Sequence, residues 1–204
     1  MRTLKSLCSF ALVALCSVAV AKADTCSSTP NNLVSNCGFE TGDFSSWSGT
    51  STMDNNSGVD ASDPYQGSYE AYLAPIGSTA TLSQTLSTVA GQMYTISFAL
   101  DETLMGSSSG YSNSFAAYFG SSLLFTESNV GLSPYVVHPF QVTATGSSTT
   151  LSFVSRNDAG YFDLDNVSVV GPAAVAATPE PSSLYLLGTG LVGALGVARR
   201  RLQA

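Results

Sequence analysis

Basic side chains are nearly absent from the middle of this 204-residue sequence. Residues 24–178 contain thirteen Asp and Glu residues but a single basic residue, Arg156, which gives this stretch a net charge of −12. Proteins that bind nucleic acid neutralise its phosphates with clustered Lys and Arg. Nucleic acid is therefore excluded as a partner, and two interpretations of the carboxylates remain: an acidic soluble surface, or oxygen ligands for calcium.

Histidine is equally scarce, since His138 is the only one in the sequence. It alternates with apolar residues along residues 136–144, which favours a structural histidine on a buried strand face over a general base. Asp101 and Glu102 would point to opposite faces of a strand and so do not form a glycosidase pair. We therefore predict that the protein is not an enzyme. A glycan-active enzyme is the alternative, because other carboxylates could meet in space.

The N-terminus has the pattern of an export signal. Arg2 and Lys5 precede an apolar run over residues 7–21, and Ala21-Lys22-Ala23 places small residues where signal peptidase requires them. Residues 1–23 are therefore predicted to be a signal peptide, and the exported chain is expected to begin at Asp24.

Cysteine is limited to four residues, and two of them lie within the predicted signal peptide. Its removal leaves Cys26 and Cys37 in an oxidising compartment, where a disulfide is the expected state of such a pair. Metal binding by the two thiols is the alternative. It is poorly supported because no further Cys and only one His could complete the site.

The C-terminus contains three segments in a fixed order. Residues 173–183 form a linker that contains Pro179-Glu180-Pro181, residues 184–198 form an apolar run, and residues 199–204 form a tail that begins Arg199-Arg200-Arg201. The apolar run is slightly shorter than the roughly 17–25 residues of most membrane-spanning helices. We predict a single transmembrane sorting helix over residues 184–198, with the basic tail in the cytoplasm.

This order closely resembles the PEP-CTERM sorting signal of Gram-negative bacteria. The resemblance implies that a membrane enzyme, exosortase, recognises Pro179-Glu180-Pro181 and cuts near it. The protein would then be anchored only transiently in the inner membrane, and would afterwards reach the cell surface or the extracellular polysaccharide.

The body of the chain, residues 24–172, alternates apolar and polar residues with a period of two. The alternation is clear over residues 93–100, 136–144 and 151–155, and no stretch shows the 3.6-residue spacing of a helix. Clusters of Ser, Gly, Asn and Asp between these runs predict turns. We therefore predict an all-β fold, an antiparallel β-sandwich in a single domain.

Two further segments resemble a known family. Residues 33–47 and residues 162–169 are similar to the opening and closing elements of galactose-binding-like jelly rolls, which include several carbohydrate-binding modules. The resemblance implies a structural calcium site in which Glu40 and Asp165 provide carboxylates and Ser68 lies near contributing backbone oxygens. The alternative is that both acids are solvated residues at strand ends.

Aromatic side chains in polar loops are the candidates for sugar contacts, because rings stack on sugar faces. Tyr65 lies in the loop of residues 60–67, and Tyr111 lies in the loop of residues 106–113. We predict an exported cell-surface or extracellular-matrix protein that associates with extracellular polysaccharide. The alternative is a structural matrix protein without a defined ligand pocket.

Overall fold

The computed structural model describes residues 23–49, 56–104, 112–158 and 160–172, together with Thr189 and Arg199. The chain divides into one compact unit that ends at Gly171 and a second unit of residues 172–204. Residues 1–22 of the predicted signal peptide lie outside the described residues, as does the sorting segment except for Thr189 and Arg199. No helix within the described ranges is long and apolar enough to cross a membrane.

The first unit is built from β-strands, and the described ranges within it contain no helix. In chain order the strands are β1 (Ser48–Gly49), β2 (Gly58–Asp60), β3 (Glu70–Leu73), β4 (Ala80–Ser87), β5 (Met93–Leu104), β6 (Asn113–Phe119), β7 (Ser122–Ser128), β8 (Ser133–Thr143), β9 (Ser148–Asn157) and β10 (Gly160–Val170).

The strands form two five-stranded sheets in which every pairing is antiparallel. Sheet 1 has the order β1-β4-β9-β6-β7, and sheet 2 has the order β2-β3-β10-β5-β8. Chain neighbours such as β9 and β10 lie in different sheets, so the chain crosses between the layers as in a jelly roll. The predicted all-β antiparallel sandwich is confirmed.

Apolar side chains from both sheets meet in an aromatic core. Phe98 of β5 packs against Phe153 of β9 with ring centroids 5.2 Å apart, and Phe115 of β6 packs against Phe162 of β10 at 5.3 Å. All four rings are fully buried. Ring pairs at such distances add to the stabilisation gained by burying apolar area.

His138 has the structural position that its strand pattern predicts. It lies on β8, half-buried between the rings of Phe98 at 5.4 Å and Phe125 at 4.3 Å. Burial lowers the pKa of this imidazole. Val136, two residues earlier, is 47 % exposed because β8 is an edge strand.

A disulfide joins Cys26 to Cys37, as predicted, with their Cα atoms 6.0 Å apart. Both cysteines are buried in the core. The segment that they close lies along β10: Leu33 N donates to the carbonyl of Val169 at 2.9 Å, and Val167 N donates to that of Cys37 at 2.9 Å. The disulfide therefore fixes the N-terminal segment against the last strand of the domain.

One carboxylate, that of Glu102 on β5, points into the core and is only 1 % exposed. Its Oε1 accepts hydrogen bonds from the Nδ2 atoms of Asn113 at 2.6 Å and Asn157 at 3.3 Å, whereas Oε2 has no partner. Burial raises the pKa of Glu102 to about 7, and the nearby charges of Glu127 and Asp101 act in the same direction. Ionised Glu102 is therefore a source of instability.

We predict that Glu102→Gln stabilises the protein at pH 8.5. The folded-state pKa of Glu102, about 7, lies above the ordinary value of 4.5. The contribution of Glu102 to the free energy of unfolding is therefore most favourable below about pH 4.5, where its carboxyl group is protonated in both states. This contribution is lost as the pH rises through 7. The gain should be roughly 1–3 kcal/mol at pH 8.5 and should vanish near pH 4.

Urea unfolding at the two pH values measures this effect. Asp43→Asn is the matched control, because Asp43 is an exposed carboxylate whose pKa is lowered by hydrogen bonds from Ser45 and Thr41. A Glu102→Gln variant that is equally destabilised at both pH values would show that Glu102 acts only through packing.

Candidate functional site

The outer face of sheet 2 carries acidic side chains from neighbouring strands. On β10, Phe162 and Leu164 face the core, so the residues that alternate with them face outward. Asp163 lies opposite Tyr72 of β3 on one side and opposite Asp101 of β5 on the other. Like charges that face each other across strands destabilise a sheet, so this arrangement needs a reason other than stability.

These outward carboxylates are nevertheless buried, because the loop of residues 61–69 folds over them. Asp63 N donates to Glu70 Oε1 at 2.9 Å, and Gln66 N donates to Asp165 Oδ2 at 2.9 Å. Glu70 and Asp165 are almost completely inaccessible as a result. The loop thus closes one side of a cleft on sheet 2.

The cleft has a volume of about 520 Å³, and we call it the acidic cleft. Four carboxyl groups contribute to its wall, and none of its lining residues is basic. The acidic residues are Asp60, Asp63, Glu70 and Asp163.

Two tyrosine rings, those of Tyr72 and Tyr161, complete the wall of the acidic cleft. Their centroids are 6.3 Å apart in a T-shaped arrangement, and both residues are half-buried. Tyr72 lies against Gly58 of β2, where a Cβ atom would collide with the tyrosine hydroxyl. Glycine at this position therefore permits the ring to lie across the neighbouring strand.

Burial dominates the electrostatics of the cleft. It raises the pKa of Glu70 to about 8; the hydrogen bond from the Asp63 amide opposes this shift, whereas Asp60 and the charge of Asp63 add to it. It also raises the pKa of Asp163 to about 8, and the charges of Glu70 and Asp101 act in the same direction. Strongly shifted carboxyl groups in a cleft are typical of functional sites.

Asp163 is the least satisfied group in the acidic cleft. It is 2 % exposed, its Oδ1 has no hydrogen-bond partner, and its Oδ2 accepts one long bond of 3.3 Å from Thr103 Oγ1. A buried carboxyl oxygen without a donor costs about 1–3 kcal/mol or more. A ligand that donates to Asp163 would recover that free energy.

The two tyrosines singled out from the sequence have different positions. Tyr65 is half-buried and packs against Tyr135 of β8, with centroids 5.4 Å apart, beside the acidic cleft but not in its wall. Tyr111 lies outside the described residues. A ligand contact by either residue stays a prediction.

The sequence offers Tyr72 and Tyr161 among several aromatic candidates for sugar contacts but does not single them out, and it assigns no role to the carboxyl groups of Glu70 and Asp163. The alternation of Tyr161, Asp163 and Asp165 with buried apolar residues was the available signal, because it predicts one polar face of β10.

The residues predicted to hold calcium lie at the other end of the loop of residues 61–69. Glu40 Oε1 accepts hydrogen bonds from Ser68 N at 2.8 Å and from Tyr69 N at 3.2 Å. Gly67 has a φ of 73°, and a side chain there would collide with the Glu40 carboxylate. Ser68 therefore supports Glu40 through its amide, and its role near a metal stays a prediction.

Asp165 is fully buried, and its oxygens accept from Gln66 N at 2.9 Å and from Asn166 N at 2.6 Å. Burial raises the pKa of Asp165 to about 7, and the charges of Asp24 and Glu40 add to the shift. Asp24, which the sequence did not assign to a site, thus lies near Asp165.

Carboxylates are suitable donors for calcium, and both Glu40 and Asp24 act on the charge of Asp165. Among the described residues, however, the one group of three potential metal-binding side chains with donor atoms within 4.8 Å of each other is Asp24 with Cys26 and Cys37. Those cysteines form the disulfide. Calcium between Glu40 and Asp165 would therefore need main-chain oxygens or water as further ligands.

Comparison with solved structures defines the class of the fold. The tandem CBM22-1–CBM22-2 domain of Paenibacillus barcinonensis Xyn10C has 20 % identity and a TM-score of 0.51, covering 81 % of this chain and 50 % of that one. The C-terminal family 22 carbohydrate-binding module of Clostridium thermocellum Xyn10B has 16 % identity and a TM-score of 0.51, covering 72 % of this chain and 99 % of that one.

A third similar structure is the enzymatically active domain of bacteriophage CBA120 tailspike protein 4, with 13 % identity and a TM-score of 0.50 over 70 % of this chain and 22 % of that one. At these identities the likeness concerns the fold, and it confirms the predicted jelly roll of carbohydrate-binding modules. No curated protein sequence gives a significant match.

The C-terminal segment has its own match. Residues 177–201 fit the model of the PEP-CTERM protein-sorting motif. This confirms the predicted sorting signal and marks an exported protein with a C-terminal sorting segment.

Proposed function

We propose that the protein binds a polysaccharide outside the cell through the acidic cleft on sheet 2. One observation carries the proposal: two tyrosine rings and a buried, incompletely hydrogen-bonded carboxyl group, that of Asp163, share one cleft. Tyr72 and Tyr161 offer surfaces for sugar rings, and carboxyl oxygens accept hydrogen bonds from sugar hydroxyls.

The structural likeness supports this choice of ligand class without establishing it. One similar structure, with a TM-score of 0.51 and 16 % identity, is described as a xylan-binding domain. The sorting motif indicates an exported protein, and an exported domain would meet polysaccharides outside the cell. Binding without catalysis is the function that we propose.

We predict that Tyr72→Ala and Tyr161→Ala each weaken polysaccharide binding about tenfold, which is about 1.4 kcal/mol. The physical reason is the loss of one ring from the cleft wall. Glycan arrays identify a ligand, and calorimetry with a soluble fragment of it gives the dissociation constants.

Tyr118→Ala is the matched control, since Tyr118 is a half-buried tyrosine of β6 in the opposite sheet. If both cleft variants bind as tightly as the wild type, the ligand does not occupy this cleft. If no glycan binds at all, the interpretation as a passive matrix protein is favoured. Release of reducing ends during binding would reveal an enzyme.

We further propose that exosortase processes the chain at the sorting motif. The prediction is that the surface form ends near Pro179 and lacks Arg199-Arg200-Arg201, because Pro179-Glu180-Pro181 is the segment at which such a motif is cut. Intact-mass analysis of the extracellular fraction tests it. Replacement of Glu180 by Ala is the companion variant, which should accumulate in the cell; a surface protein that retains the full C-terminus would contradict the proposal.

Calcium binding at Glu40 and Asp165 is also retained as a proposal. A divalent ion would offset the repulsion among Asp24, Glu40 and Asp165 and would join the N-terminal segment to β10. The bound ion would neutralise the charge of these carboxylates and would have a structural role.

We predict that calcium raises the melting temperature, with a gain of about 2.7 kcal/mol at one hundred times the dissociation constant. Glu40→Gln and Asp165→Asn should remove the gain, whereas Asp43→Asn should keep it. Thermal unfolding with calcium and with chelator measures the difference. If the melting temperature is the same with calcium and with chelator, Glu40 and Asp165 do not bind calcium.

A further inference from the structure

The acidic cleft has no positive charge to balance its carboxyl groups. Asp60, Asp63, Glu70 and Asp163 contribute to its wall, and no Lys, Arg or His is among its lining residues. Within the described part of the first unit the single arginine, Arg156, is held by Asp158 through a 2.6 Å ion pair on β9. Within this part of the chain no lysine or arginine is therefore available to balance these carboxyl groups when they ionise.

A second observation is independent of this cluster. Asp163 is 2 % exposed, lines the cleft, and has an Oδ1 atom with no hydrogen-bond partner. Across the ladder, Asp101 is 7 % exposed and has an unpartnered Oδ1 as well. Buried oxygens of this kind are rare in folded proteins unless an ordered water, a ligand or an ion completes them.

The spacing of the carboxylates distinguishes between two kinds of cation. A single metal ion needs several oxygens at 2.3–2.6 Å, so its ligand atoms lie within about 5 Å of one another. In the described part of the chain no three carboxylates of this cleft lie that close together, so a metal ion here would have to take most of its ligands from water or main-chain oxygens. Separate ammonium groups along a polymer could instead meet the carboxylates one at a time.

From this geometry we infer that the acidic cleft selects a polysaccharide with free amino groups, such as a deacetylated amino-sugar polymer. The inference rests on the proposed function and specifies its ligand. Each ammonium group donates up to three hydrogen bonds, and Asp163 and Glu70 provide acceptors in the cleft wall. Tyr72 and Tyr161 add ring faces that attract cations as well as sugar rings.

The same arrangement disfavours other polysaccharides. A uronic-acid polymer would place carboxylates beside those of the cleft, and like-charge contacts oppose association. An N-acetylated polymer has the same sugar ring but no charge, so it would keep the ring contacts and lose the ammonium contacts. The preference for amine over acetamide is therefore the property that identifies this site.

The test compares a glucosamine oligomer with its N-acetylated counterpart of equal length and linkage, by calorimetry on the exported domain at low salt and pH 7. At this pH a fraction of Asp163 and Glu70, whose pKa values are raised to about 8, is ionised, and a bound ammonium group favours their ionised form. The glucosamine oligomer is expected to bind at least tenfold more tightly, and raised salt should reduce the preference. An oligogalacturonate of similar length should not bind. Equal affinity for the two amino-sugar oligomers, or tighter binding of the acidic one, would overturn the inference.

Variants locate the preference in the cleft. Asp163→Asn and Glu70→Gln should each lower affinity for the glucosamine oligomer by fivefold or more, whereas Asp43→Asn should not. Circular dichroism confirms folding of each variant, and two separate variants protect the test against one that fails to fold. If the preference persists in both, it arises elsewhere on the acidic surface, and the inference is wrong.

Failure of this inference is distinguishable from failure of the proposed function. Binding of a neutral glycan that is lost in Tyr72→Ala would leave the polysaccharide site in place and remove only its selectivity for amines. If no oligomer and no glycan on an array binds, both the proposed polysaccharide binding and the inferred selectivity for amines are wrong.

Discussion

The alternation of side chains along β10 is the constraint on which both candidate sites depend. This strand lies in the middle of sheet 2, paired with β3 and β5. Phe162 and Leu164 are fully buried in the core, and each contributes about 1.5–3 kcal/mol of burial free energy. Because successive side chains point to opposite faces, that burial directs Asp163 and Asp165 to the outer face.

The buried carboxyl groups on the outer face of sheet 2 lower the free energy of unfolding, and burial of apolar side chains in the core must offset this loss. Glu70, Asp101, Asp163 and Asp165 are all buried there, and burial raises the pKa of each of them. A sequence under selection for stability alone would place Ser, Thr or Lys at these positions. Residues that lower the free energy of unfolding without stabilising another part of the fold are characteristic of sites under functional constraint.

Much of this fold follows from local sequence patterns. Period-two alternation predicts β5, β8 and β9, and the two cysteines that follow the predicted signal peptide predict the disulfide. These features depend on residues that are close in sequence or on simple counting. The jelly roll itself was inferred from a resemblance at the two ends of the body, residues 33–47 and 162–169.

The acidic cleft could not be predicted in the same way, because its members come from strands that are distant in sequence. Tyr72 and Asp163 are neighbours only through the register of β3 against β10, ninety-one residues apart along the chain. The contact made by Tyr65 could not be predicted from the sequence for the same reason. Its polar surroundings predict an exposed ring, yet the loop of residues 61–69 folds back and the ring meets Tyr135.

The two acids of β10 differ in how their oxygens are held, and this separates their proposed roles. Both oxygens of Asp165 accept bonds from main-chain amides, those of Gln66 and Asn166, so its position is fixed before any ligand arrives. Asp163 has one weak bond and one unpartnered oxygen. The hydrogen bonding of Asp165 is therefore suited to a permanent structural contact, and that of Asp163 to a ligand that binds reversibly.

The loop of residues 61–69 connects the two proposed sites. Its backbone amides bind Glu40, Glu70 and Asp165, which lie on the N-terminal segment, β3 and β10. A cation held beside Glu40 and Asp165 would reduce the motion of this loop, and the same loop forms one wall of the acidic cleft through Asp63. Ordering at one end thus lowers the conformational entropy that ligand binding must remove at the other.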